Sequence, residues 1–217
     1  MVKFLQFFII LALILSGEVS AQYHRYLPFY NYKGLDINNI DTDFDNYGDA
    51  KDFLSGGSIC WNNYKEWIPV VFSQGIGVIG KINGGIAGGL AQWLTTFTPG
   101  PIINGVPAVL MNSPDSVRYR VYKISAGDNE TNNIDYKEWP FDLGAPKDKF
   151  GKPQLLGNQT LYTIYNGLDR TIQNRRYQLP PMVIPVEIHQ TVFARAGQDS
   201  DSTDILSNVL FLEYSVV

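Results

Sequence analysis

Five aspartates, Asp41, Asp43, Asp45, Asp49 and Asp52, match ligand positions of the twelve-residue loop that surrounds calcium with hard oxygen atoms. The spacing names all five as candidate calcium ligands. Asn46 stands where that loop needs a glycine for its sharp turn, and Asp52 is shorter than the glutamate that normally closes the cage. A solvated acidic turn between strands is the competing reading. Asp142 and Asp148, around Gly144-Ala145-Pro146, form a second and smaller group of oxygens.

Acid and base chemistry has little material. Glu138 and Asp142 could act as the carboxylate pair of a glycoside hydrolase, although two acids in one loop are a weak signal. His24 and His189 are the only histidines. His24 lies near the start of the chain, and His189 alternates with Glu187 and Thr191, the setting of a surface or hydrogen-bonded side chain. Gly75-Ile76-Gly77-Val78-Ile79-Gly80 fits the glycine pattern of a dinucleotide site, but the required helix does not follow: Lys81-Ile82-Asn83-Gly84-Gly85 is another turn. Glycines within and between apolar strands account for it. Trp61, Trp67, Trp93 and Trp139 could stack on sugar rings through the same apolar faces that would bury them in a core. No cofactor other than calcium is implied.

The elements that must position these residues begin after a secretion signal. Lys3 precedes an apolar run from Phe4 to Leu15, and Val19-Ser20-Ala21 offers the small residues of a cleavage site. Residues 1–21 therefore read as a signal peptide helix, with Gln22 first in the mature chain. The run is short of the roughly 20 residues that span a bilayer, and no later segment matches it, so no transmembrane segment is expected after cleavage. Residues 22–217 are enough for one sizeable domain. Their net charge of −4 argues against nucleic acid, which needs clustered cations on one face. Cys60 is the only cysteine, which rules out an intrachain disulfide; beside Ile59 and Trp61 it reads as a small buried hydrophobe.

With 13 tyrosines, 12 phenylalanines, 20 glycines and 12 prolines, the composition favours strands joined by turns. Val117–Ile124, Gln159–Tyr165, Val183–Ala194 and Leu210–Val216 each read as strands. In the third, Val186, Ile188, Val192 and Ala194, with Gln190 among them, share one face, while Glu187, His189 and Thr191 take the other. The best helical candidate, Ile134–Trp139, is stopped by Pro140. The predicted fold class is all-β, an antiparallel β-sandwich with long loops. Asp36–Asp52 and Gly197–Asp204 read as solvated loops. The strand pattern still runs at Val217, which predicts that the chain is the N-terminal part of a longer protein.

A motif order adds kinship. Gly75, Gly80-Lys81-Ile82-Asn83-Gly84, Pro99-Gly100-Pro101, Arg118-Tyr119-Arg120-Val121-Tyr122-Lys123-Ile124, Glu138-Trp139-Pro140, Asp142-Leu143-Gly144-Ala145-Pro146, Gly151-Lys152-Pro153, Gln159-Thr160-Leu161-Tyr162, Gln190-Thr191-Val192-Phe193-Ala194 and Asn208-Val209-Leu210-Phe211-Leu212 follow one another. This order resembles the N-terminal region of large secreted proteins of Bacteroidota-like bacteria, which usually end in a type IX secretion sorting domain. The likeness runs from about Leu35 to Val217. It departs at Ser55–Trp61, where the glycine and tryptophan spacing differs, and the sorting domain is absent. The resemblance implies delivery to the cell surface and supplies no catalytic residues. The function expected is a secreted or cell-surface, non-catalytic module with a structural or binding role, its partner a polysaccharide or a cell-surface protein. A carbohydrate-active or carbohydrate-binding β protein is the alternative.

Overall fold

Alternation along the chain produces short strands, and the computed structural model describes residues 29–51, 59–62, 67–72, 74–91, 96–108, 114–169, 183–197 and 204–217. In chain order the strands are β1 (Tyr32–Leu35), β2 (Ile40–Asp45), β3 (Ala50–Lys51), β4 (Ile59–Asn62), β5 (Trp67–Val71), β6 (Gly77–Ile82), β7 (Gly85–Leu90), β8 (Thr98–Pro99), β9 (Ile102–Ile103), β10 (Val106–Pro107), β11 (Tyr122–Ser125), β12 (Gln159–Asn166), β13 (Glu187–Ala194) and β14 (Phe211–Val216). Among the described residues the one α-helical turn is α1 (Ile134–Lys137). All pairings between these strands are antiparallel, and the all-β expectation holds. Among the described residues no helix is long and apolar enough to cross a membrane. The proposed signal peptide, His24, Asp52, Trp93 and most of the Gly197–Asp204 stretch lie outside the described residues.

The sheet that organises the rest runs β11-β12-β13-β14, with β8 pairing the end of β12. All eight residues of β12 are buried, so this strand is covered on both faces. On one face Leu161, Val192, Ala194 and Val121 meet Leu35, Phe44 and Ala50 from the sheet that contains β1, β2 and β3. Farther along the same face, Tyr165 and Ile188 pack with Phe97 and Ile184 and with Val78, Ile82 and Ala87 of the β6–β7 hairpin. The opposite face, carrying Tyr122, Ile124 and Tyr162, is covered by Trp139 and Ala145 from the long connection between β11 and β12. Burying each of these large side chains contributes about 1.5–3 kcal/mol. Cys60 is fully buried.

Three expectations are revised. Val117–Ile124 is not one strand: residues 114–119 form a 3-10 turn and the strand is Tyr122–Ser125. Val117 is exposed and Tyr119 buried, although a continuous pleat would put both on one face. The Asp36–Asp52 stretch is not a solvated loop, since Ile40–Asp45 is a strand and Phe44, Asp45, Tyr47 and Asp49 are buried. The helix is shorter than the segment Ile134–Trp139, because Glu138 already leaves helical geometry two residues before Pro140. The Gly75–Gly80 segment lies at the entry to and within β6, which turns back as a hairpin and opens no helix.

Candidate functional site

The connection from β11 to β12 is held by short polar side chains that bond to nearby backbone. Asn133 caps α1: its Oδ1 accepts from the backbone N–H of Asp135 at 2.8 Å and of Tyr136 at 3.4 Å. Its Nδ2 donates to Lys123 O at 3.0 Å and to Asp128 Oδ2 at 2.6 Å, which fastens the helix to β11. The turn so fixed aims Asp135 inward and leaves Glu138 at its end, near the surface. Pro140 then starts a second turn, Phe141–Leu143, closed by Gly144 in the left-handed region at φ 86°. The Trp139 indole N–H donates to Pro146 O at 2.9 Å and locks the loop from beneath.

Groups from residues 118–123 and from β1 reach one side of this loop. Arg120 donates from Nε to Asp135 Oδ1 at 3.1 Å and from Nη2 to Glu138 Oε2 at 2.9 Å, with its guanidinium 4.1 Å from the centroid of the Tyr122 ring. Lys33 adds a contact to Asp135 Oδ2 at 3.2 Å, and the Lys123 backbone N–H donates to the same oxygen at 3.1 Å. Arg118 pairs with Asp142, and the hydrogen bond to that carboxylate is the main reason its guanidinium is held above its ordinary value. Between them is an open cleft of about 380 Å³ lined by Val117, Arg118, Arg120, Tyr122, Glu138, Pro140 and Asp142. Phe141, between two lining residues, is exposed.

A second polar chain backs the same loop. The Tyr162 hydroxyl contacts Leu143 O and lies 2.8 Å from His189 Nδ1. His189 Nε2 is 2.8 Å from Glu187 Oε1, and Glu187 Oε2 accepts from the Ile102 N–H at 2.8 Å. Burial pushes the Tyr162 hydroxyl well above its ordinary value, and the carboxylates of Glu187 and Asp142 add to the effect, so this phenol keeps its proton.

The structure brings some sequence candidates together and separates others. Glu138 and Asp142 do line one cleft, but each is engaged by an arginine. Asp41, Asp43 and Asp45 lie on β2, where alternate residues are about 6.6 Å apart, and not around a loop. Asp45 Oδ1 accepts from the backbone N–H of Tyr47 at 3.0 Å and of Asp49 at 2.9 Å, which closes the turn into β3. Among the described residues no group of three or more His, Cys, Asp or Glu side chains is placed to hold a metal ion. Trp139 is buried, Trp61 donates its indole N–H to Asn208 Oδ1 at 2.8 Å, and Trp67 lies on β5.

Sequence reasoning missed Arg118, Arg120 and Asp135 as partners, and it missed Tyr162 beside His189. The alternation of arginines in Arg118-Tyr119-Arg120 before a loop rich in acids was the available signal. Tyr162 and His189 carried none: they meet because the β12–β13 register pairs Ile164 with His189 and places Tyr162 on the diagonal. No protein-family model, no curated protein and no solved structure matches this chain.

Proposed function

We propose that this protein is a secreted or cell-surface, non-catalytic β module that binds its ligand in the cleft between residues 117–122 and 138–142. The observation that carries this reading is the internal pairing of the cleft. Its arginines and carboxylates pair with one another, Arg120 anchored by the buried Asp135, which gives a surface of planar hydrogen-bonding groups whose opposite charges face one another. Such a surface suits a neutral, hydroxyl-rich ligand, because hydroxyl groups can both donate to carboxylates and accept from guanidinium groups. Val117, Pro140 and the exposed Phe141 supply the apolar contact a sugar face needs. A neutral polysaccharide is the ligand class that fits.

Support for export comes from the apolar run Phe4–Leu15 before Ala21 and from the resemblance to Bacteroidota surface proteins. Calorimetry with neutral polysaccharides tests the binding reading: heat that disappears in Arg120→Ala and Glu138→Ala is expected. The specific observation favouring the carbohydrate-active alternative is that Glu138 and Asp142 share the cleft. Release of reducing ends that stops in Glu138→Gln establishes that alternative and overturns the non-catalytic reading.

A further inference from the structure

We infer that Tyr162, His189 and Glu187 form a proton-dependent latch that fixes the loop carrying Glu138, Pro140 and Asp142. Counting protons leads to it. Leu143 O can only accept, so its contact with the Tyr162 hydroxyl uses the one phenolic proton. The Tyr162 oxygen, having spent that proton, must accept from His189 Nδ1, which therefore carries a hydrogen. The His189 Nε2 contact with Glu187 Oε1 needs a further proton, while Glu187 Oε2 is already occupied by the Ile102 N–H. Three contacts thus require three protons, and the histidine and glutamate together must hold two of them.

When the pair retains only one proton, one contact is lost, and the geometry decides which. Glu187 keeps Nε2–H, because a hydrogen bond to a carboxylate is the stronger kind. Bare Nδ1 then takes the Tyr162 proton, and Leu143 O loses its donor. The loop is released at its Leu143–Gly144 end while the Trp139 bond to Pro146 O remains. Gly144 makes the coupling tight: a Cβ at that position would stand 2.6 Å from His189 Nδ1, so backbone and imidazole are in direct contact.

The groups around the imidazole are few. Glu187 is on its own strand, Tyr162 is on β12, and Asp142, paired with Arg118, acts on Tyr162 from the turn above. Across β14 the partner of His189 is Ser215, which does not titrate, and Glu213 follows two residues away on the same face, exposed. The inference does not depend on what the cleft binds.

Two-bond proton–nitrogen NMR of the imidazole, with His189 assigned by comparison with His189→Gln, tests it together with amide exchange corrected for intrinsic rates. At acid pH both ring nitrogens are expected to be protonated. As pH rises through the range in which imidazole loses its proton, Nδ1 is expected to lose it, and protection of the Gly144 and Ala145 amides to fall about two- to tenfold, the effect of one net hydrogen bond. In Tyr162→Phe the ring should still titrate while loop protection no longer follows it. In His189→Gln no ring nitrogen gains or loses a proton beside Tyr162, so loop protection should no longer follow pH. Loss of the proton from Nε2, a ring that keeps both protons throughout the range of about pH 5 to 8 in which imidazole ordinarily changes charge, or titration with unchanged protection at Gly144 and Ala145 overturns the latch.

Discussion

The β6–β7 hairpin and the connection between β11 and β12 cover opposite faces of one sheet, and they are held there by different means. The hairpin is a local structure: Asn83 and Gly84 at its tip have φ of 50° and 84°, the geometry of a two-residue turn that matches strand twist. Its inner residues, Val78, Ile82 and Ala87, meet the core, while Ile79 and Ile86 on the outer face are 80% and 83% exposed. The β11–β12 connection has almost no regular structure of its own. It is fixed by partners distant in sequence, with Arg120 bonded to Asp135 and Glu138 and Tyr162 bonded to Leu143. A hairpin coded by its turn needs little from the rest of the molecule, whereas a loop built on side-chain partners exists only when the sheet is already formed.

That contrast is open to direct attack, most severely at Trp139. Trp139→Ala removes a buried ring that packs on Tyr122 and Tyr162 and also holds Pro146 O. Denaturant unfolding should show a loss of about 3–5 kcal/mol; a loss near zero would mean the loop is not part of the core.

Asp135→Ala is expected to cost about 3 kcal/mol in the same measurement, because Arg120 would be left largely buried without its inner partner. Asp135→Asn keeps an acceptor for the Lys123 N–H and should cost less. Equal losses in the two variants would show that charge, and not hydrogen bonding, decides the site.

Gly144 and Gly84 sharpen the comparison, since both have a positive φ, 86° and 84°. An alanine Cβ meets nothing within 4 Å at Gly84 but stands 2.6 Å from His189 Nδ1 at Gly144. Gly84→Ala should cost about 1 kcal/mol, from backbone strain alone. Gly144→Ala should cost more than that and also alter the His189 resonances. If the two variants melt together, the loop does not press on the imidazole.

The smallest effect belongs to the outer face of the hairpin. Ile79→Ala and Ile86→Ala are expected to stay within about 0.5 kcal/mol of the parent. A larger loss in dilute solution would mean that this face is covered.

Much of this architecture was legible beforehand. Gln159–Tyr165 reads as a strand and is one, the stretch ending at Ala194 alternates as a strand should, and the assignment of Ile188, Gln190, Val192 and Ala194 to one face follows from a period of two. Val117–Ile124 misled because β-branched and aromatic residues suit a strand, yet the chain forms a 3-10 turn and a shorter strand, with Val117 exposed and Tyr119 buried where a pleat would put both on one face. For the aspartate row, spacing that fits a calcium loop fits an extended strand equally well, and the pairing of β2 with β1, β3 and β4 places Asp41, Asp43 and Asp45 on a strand.

The sequence alone settled the antiparallel all-β class, the turn at Asn83-Gly84 and the burial of Cys60, because each depends on backbone preference or on hydrophobicity over a few residues. The cleft and the Tyr162–His189–Glu187 chain were decided by tertiary structure. Their members lie far apart in the chain, in the case of Ile102 and Glu187 85 residues apart. Strand register and the path of one long loop bring them within hydrogen-bond distance, and neither is written in the spacing of the residues themselves.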